Sequence, residues 1–560
     1  MSWPEDDNRF TAGPLTVRIA IGIQAVGVVL AARLCLPAAL QAETPLRDLI
    51  DAHIRSAWDR ERVSSASPAD DATFLRRVSV DLTGVIPTCD EAKAFLADAD
   101  DQKRSKLIDR LLDDSRHARH QADVWDMVYF GRHPPGYDAP KREGFQKWLQ
   151  ESFANNLPYD QLARALLIAE GNSAEQGAPM YLVQYAGRPE DAAMAVSQTF
   201  LGVQLQCARC HSHPYEPWTQ QDFFGLAAFF SRLTTIRAGK AGQLDKVFVA
   251  EMNTGEIRFG GPAGDAKPGK SGDVVKPKFL LAAALDEPDL TAEFKDEKRP
   301  KEGEPPPPPK FSRKDKLAEW VVAADNQMFA RAAVNRVWSQ FMGRGIVQPV
   351  DNMSPSNKPS HPELLDALAA EFAAHRFDMK WLLREMCNSR TYQLGAGGDV
   401  TDAKPRWFER ARTRPLSAEE LLESWRIATG FDDVFSASGK KSEQRFHGVT
   451  WDYVKRFFGE PNNGVGDFQG GMQEHLYLNN GELGRRIVSE KGGLVDAIAK
   501  SDAAWPDRVD RLFLSILTRP PTDEERSKFV EYLDTKDQPA ERLREAIWAL
   551  MTCSEFRFNH

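Results

Sequence analysis

GRPEDAAMAVSQTFLGVQLQCARCHSHPYEPW, residues 187–218, holds both the pattern that sets the fold class and the residues that suggest chemistry. Pro189 suits an early helical turn, where a missing N–H costs nothing, and Ala193, Val196, Phe200 and Val203 recur at steps of three and four. That spacing predicts an amphipathic helix whose apolar face reaches Cys207 one step further on. Downstream, Thr219 and Asp222 form a capping-box pattern ahead of FFGLAAFF, predicting a second helix. Cys207, Cys210 and His211 therefore fall between the end of one helix and the start of another.

The helical period extends in both directions. Leu107, Ile108, Leu111 and Leu112 repeat at helical spacing, as do the apolar residues of PYDQLARALLIAEG. Beyond residue 310, KLAEWVVAADNQMFARAAVNRVWSQFMG and DRVDRLFLSILTR carry the same signature. In PSHPELLDALAAEF, Ser360 is the expected N-cap, Pro362 lies in the first turn and Glu363 completes a capping box; His361 then belongs to a helix start. Two interruptions break the pattern. KVFVAEMNTGEIRF, residues 246–259, alternates around Asn-Thr-Gly and predicts a β-hairpin, while the chain to KEGEPPPPPK reads as a solvated, polyproline-type linker. The expected fold is mainly α: two helical domains separated by a small β-hairpin region and a Pro-rich linker. Its expected divisions are 43–235, 236–312 and 313–560, after a signal segment at 1–42.

Composition bounds the functions. A chain of 560 residues with 42% hydrophobic, 10% aromatic and 27% charged residues has the make-up of a globular protein large enough for several domains. The net charge of −9 and the lack of a Lys/Arg-dense stripe argue against nucleic acid as a partner. Neither a Walker-type phosphate loop nor a G-x-S-x-G elbow occurs. Near the N-terminus, IAIGIQAVGVVLAA (Ile19 to Ala32) follows Arg9 and Arg18, and Ala42 ends a small-residue stretch. This predicts a secretory signal, an exported (periplasmic or extracellular) protein and a mature chain with no transmembrane span. With only six cysteines, a dense disulfide framework is excluded.

In an exported protein C-x-x-C-H has a specific meaning. Two thiols add across the haem vinyl groups and the adjacent imidazole supplies a nitrogen to the iron; this spacing lets all three bonds form together. The pentad arises by chance in about one chain per thousand of this composition. Cys207, Cys210 and His211 are thus the expected haem c anchors and proximal ligand, while Pro214, Tyr215 and Trp218 are candidates for packing around the ring. The rival is a metal site in which the cysteines, His211 and His213 bind zinc, although a structural zinc normally draws its second ligand pair from a separate segment. Met180, Met194, Met252, His117, His120 and His133 are the candidates for a sixth iron ligand, and an open position is equally compatible.

The stretches FLRRVSVDLTGVIPT (74–88) and QTFLGVQLQCARCHSHPYEPWTQQDFFGLAAFF (198–230) resemble the Planctomycete-type cytochrome c domain known as the second of its kind. NRVWSQFMGRGIVQPVDNMSPSNKPSHPELLDALAAEF (335–372), SRTYQL (389–394), LTRPPTDEE (517–525) and CSEFRFNH (553–560) are similar to the Planctomycete-specific domain that accompanies it. The resemblance implies an exported bacterial protein carrying its haem motif on Cys207, Cys210 and His211. Family members often have Asp or Asn where this chain has Ser212, which alters a contact around His211 or His213. The family's activity is uncharacterised, so resemblance identifies no reaction.

Two functions follow as expectations. One is an exported c-type haem protein that transfers electrons to or from a redox partner protein. The other is a secreted zinc-type binding protein or hydrolase for polymeric substrates, with Asp81, Asp126 or Asp351 as conceivable carboxylates. No catalytic residue is assigned, and whether the chain is an enzyme stays open.

Overall fold

A computed structural model describes residues 44–131, 142–238, 247–259, 272–298, 300–304, 307–398, 403–430, 493–534 and 539–560. The predicted signal segment and His133 lie outside them. The described chain is mainly α, as its periodicity dictates. Helices α1 (Leu46–Glu61) to α7 (Tyr159–Leu167), two single-turn helices, α10 (Pro189–Phe200) and α11 (Gln220–Ala227) precede the main strands. Helices α12 (Arg313–Val321), α13 (Gln327–Met342), α14 (Pro362–Ala374), α15 (Met379–Asn388) and α16 (Ala418–Thr429) follow, with five more from Leu494 to Arg557.

The predicted helix forms as α10, with Pro189 at its first turn and Ala193, Val196 and Phe200 fully buried, but it stops at Phe200, so its apolar face does not continue to Cys207, which is exposed. The Thr219–Asp222 capping box opens α11, and Asp222 also holds Lys278 at 2.5 Å. At α14 the expectation needs correction. The N-cap residue is His361 and it makes no side-chain cap bond. Ser360 instead donates from both N–H and Oγ to the Ile346 carbonyl, 2.9 and 3.2 Å away. A tertiary acceptor has won over the local one, and buried His361 packs against the rings of Trp407 and Phe408.

The predicted hairpin also forms differently. Strand β3 (Val247–Glu251) pairs antiparallel with β2 (Leu233–Arg237), Thr235 opposite Val249, and with β1 (Gly171–Asn172), giving the order β1-β3-β2. Strand β4 (Ile257–Arg258) pairs with β5 (Val274–Val275). The intended turn cannot fold back because the Glu297 carboxylate accepts the backbone N–H groups of Asn253 and Thr254 at 3.1 and 3.0 Å. Gly255, at φ 150°, then carries the chain past the Ser231 carbonyl, where a Cβ would meet backbone at 2.7 Å.

Two apolar clusters organise the helices. One runs from Leu46 to Phe408, joined by Leu514, and takes side chains from both sides of the Pro-rich stretch. The other gathers Leu416 to Phe556 around the last helices and includes Val80 and Ile86. Immediately after the Pro-rich stretch, Arg313 pairs with Glu287 at 2.5 Å, and buried Lys314 donates to the Ala169 carbonyl at 3.1 Å. The residues expected to begin a separate domain are thereby fastened to the N-terminal helices. No helix among the described residues is long and apolar enough to cross a membrane.

Candidate functional site

The end of α10 fixes the motif. Gly202, at φ 66°, turns the chain out of the helix against the Met353 side chain; a Cβ there would approach Met353 Cγ to 3.1 Å. Leu205 and Ala208 are buried and anchor the next turn, while Cys207 and Cys210 are exposed. Residues Cys207–Arg209 form a 3₁₀ turn, and the N–H groups of Cys210 and His211 both donate to the Cys207 carbonyl at 3.2 Å. From α11, buried Gln220 donates its amide to the carbonyls of Arg209 and Cys210, at 3.2 and 2.8 Å. The structure thus brings Cys207, Cys210 and His211 together on one braced surface turn. Both thiols are free of disulfide bonding.

The two histidines differ in their hydrogen bonding. His211 is exposed, and its Nδ1 lies 2.8 Å from the Ser212 carbonyl. A carbonyl only accepts, so in the neutral ring Nδ1 carries the proton and Nε2 keeps its lone pair. At His213 the roles reverse: Nδ1 accepts the backbone N–H groups of Tyr215 and Glu216, at 3.3 and 3.1 Å. In the neutral ring the proton then sits on Nε2. His211 is a ready ligand, whereas His213 acts as the cap of its own loop, closed further by its N–H donating to the Trp218 carbonyl at 2.7 Å. Trp218 is buried and Tyr215 is 84% exposed, so of the predicted aromatics only Trp218 packs inside.

The C-terminal half reaches this loop. Ser356 Oγ donates to Glu216 at 2.6 Å, Gln204 donates to Asp351 at 3.0 Å, and the Met353 N–H donates to the Gly202 carbonyl at 2.7 Å. Between the two halves lies a cavity of about 100 Å³ lined by His213, Tyr215, Glu216, Trp218, Asn352 and Met353. It falls below the roughly 300–1,000 Å³ of ordinary cofactor pockets. Sequence reasoning missed Met353; its place beside the loop depends on a contact with Gly202 that no local pattern encodes.

The other expected candidates lie in separate surroundings. Met180 and His117 are core residues, and His117 Nδ1 bonds the Leu82 carbonyl at 2.8 Å. His120 is buried beside Glu420, 3.9 Å away. Met194 and Met252 are partly buried, and none of these residues lines the cavity beside the motif. Asp126 pairs with Arg142 at 3.0 Å. Asp81 accepts from Tyr392, Arg414 and Asn559, each at 2.8 Å. No group of three or more His, Cys, Asp or Glu side chains converges to hold a metal ion among the described residues.

Fold and site together define a helical chain that presents C-x-x-C-H on an exposed turn braced by Gln220, with its C-terminal half holding the residues on either side. Residues 49–235 match the family described as PSCyt2, protein of unknown function (DUF1549). Residues 313–455 match PSD1, protein of unknown function (DUF1553), so the chain carries these two domains in succession. No curated protein and no solved structure matches it.

Proposed function

We propose that the chain is an exported c-type haem protein that transfers electrons, with Cys207 and Cys210 as thioether anchors and His211 as proximal ligand. The observation that carries the reading is the His211 tautomer: Nδ1 donates to the Ser212 carbonyl and leaves Nε2 unprotonated on the same turn as two accessible thiols. An imidazole whose second nitrogen donates to a carbonyl is oriented and made more basic as a ligand. Bound haem supplies a one-electron iron couple. The protein's part is to hold the turn through Gln220 and to fix the adjoining loop through His213. The same exposure of the turn leaves room for a redox partner protein to approach. The apolar run Ile19 to Ala32 supports export, which covalent haem attachment at C-x-x-C-H suits.

The test is a pyridine haemochrome spectrum of the full chain exported from a host with c-type maturation machinery, beside Cys207→Ser. A c-type spectrum that survives denaturing extraction in the parent and weakens in the variant is expected. A colourless protein with stoichiometric zinc, or with no metal, would overturn the reading.

A further inference from the structure

Four stretches that the haem site does not use meet at a second cavity, between α2, α13, the 404–414 segment and the C-terminal strand. Asp81 comes from α2 (Asp71–Thr83), Tyr392 from the stretch after α15, Asn559 from the last strand, and Arg410, Arg412 and Arg414 from KPRWFERARTR. Cation and carboxylate are not balanced there. Arg414 is engaged by Asp81 at 2.8 Å and by Glu420 at 2.7 Å, and Arg410 by Glu409 at 3.1 Å. The Asp81 carboxylate is in turn saturated: Oδ1 accepts from Arg414 and Asn559, and Oδ2 accepts from the Tyr392 hydroxyl.

Three guanidinium groups remain over. Among the described residues Arg412, Arg344 and Arg406 have no carboxylate within ion-pair distance. Burial first, then Arg412 and Arg406, holds Arg344 below the ordinary arginine value. The stem of Arg412 packs on Gly343, where a Cβ would approach Arg412 Cβ to 2.9 Å. Deeper in, Arg77 is 4% exposed. It spends Nη1 on the carbonyls of Tyr392 and Leu394 and Nε on that of His560, while Nη2 is buried with no partner. An orphaned buried donor is costly, and an anion beside it relieves that cost while also meeting the unpaired Arg412.

We propose that this cavity, with Arg77 at its floor and Arg412 at its mouth, is a binding site for a phosphate or sulfate group. Its enclosed part, about 20 Å³, has room for about one oxygen-sized atom. One oxygen of the anion enters toward Arg77 and the others meet Arg412, both of which line the cavity. Tetrahedral oxyanions suit arginine's forked donors, which match their geometry.

Calorimetric titration of the full chain with sodium phosphate, sodium sulfate and sodium chloride at constant ionic strength tests this. Saturable binding of phosphate or sulfate, with chloride inert, is expected. Exposed Arg412→Ala removes a charge-assisted contact worth about 1.4 kcal/mol and should weaken binding about tenfold. Lys528→Ala, on an exposed helix face, should leave binding unchanged. Tighter binding of a sugar phosphate or sugar sulfate than of the free ion assigns the site to an esterified ligand; equal binding assigns it to the ion itself. Non-saturating heats that are the same for all three salts, or the same in parent and Arg412→Ala, would overturn the proposal.

Discussion

The histidines of CARCHSH, two residues apart, should respond to mutation in opposite ways. His213 Nδ1 accepts two backbone hydrogen bonds that close the 213–218 loop. At about 0.5–1.5 kcal/mol each, and at the low end because the loop is partly solvated, His213→Ala should cost about 1–2 kcal/mol. His213→Asn should restore most of this, because an Asn Oδ1 accepts the same backbone N–H groups in an Asx-type turn. The His211 side chain bonds the carbonyl of its neighbour from an exposed position, so His211→Ala should stay within about 0.5 kcal/mol of the parent. Spectroscopy inverts the order. Under the haem reading, His211→Ala keeps the thioether-linked chromophore but loses the proximal nitrogen and takes on a different spin state, whereas His213→Asn keeps the parental spectrum. Urea unfolding of the apo chains and absorption spectra of the matured chains read the two effects separately. If His213→Asn lost the parental spectrum as His211→Ala does, or were as unstable as His213→Ala, the tautomer assignment would be wrong.

Two further outcomes follow from buried polar groups. Asp81→Ala strands the Tyr392 hydroxyl and the Asn559 amide while Arg414 keeps Glu420, so it should destabilise the chain by about 3 kcal/mol; a loss below about 1 kcal/mol in urea unfolding would refute this accounting. Burial pushes His117 and His120 down to about 4 from an ordinary 6.5, so both are neutral when folded at neutral pH. A depressed folded value means the unfolded chain takes up the proton first. Stability should therefore be full above about pH 6.5 and fall as pH drops toward 4, by up to about 3 kcal/mol per histidine. His117→Gln with His120→Gln should flatten that part of the profile of unfolding midpoint against pH, and an unchanged slope would count against the burial argument.

The sequence made the local features legible and left the tertiary ones hidden. Helix α10 and the Thr219–Asp222 box appear where apolar spacing and cap chemistry place them, because both are decided within a few residues. The hairpin at 246–259 does not, since the turn's N–H groups are claimed by Glu297, more than forty positions away (|i−j|=44 and 43). Ser360 fails as a cap for the same kind of reason, its hydroxyl being taken by Ile346. At the motif, residue types and spacing identified Cys207, Cys210 and His211, but not which imidazole keeps a free Nε2. That distinction depends on two loop hydrogen bonds. The Asp81–Arg414–Asn559 network joins positions 333 and 478 apart in the chain, and no periodicity encodes such a meeting.

The contacts around the motif also explain why a Pro-rich stretch does not let the two halves act independently. The C-x-x-C-H turn belongs to the region matched by PSCyt2, yet Met353 occupies the bend at Gly202, and Ser356 and Asp351 hold Glu216 and Gln204 from the region matched by PSD1. Arg313, through the Ala228 carbonyl, and Lys314, through that of Ala169, hold the chain to the N-terminal helical region before α12 has completed its first turn. The loop beside the cysteines is consequently positioned by residues from both regions. A change in the C-terminal half at Met353 or Ser356 acts on the segments flanking the motif through direct contact at Gly202 and Glu216, and the Pro-rich stretch sets the path of the chain without separating the two regions.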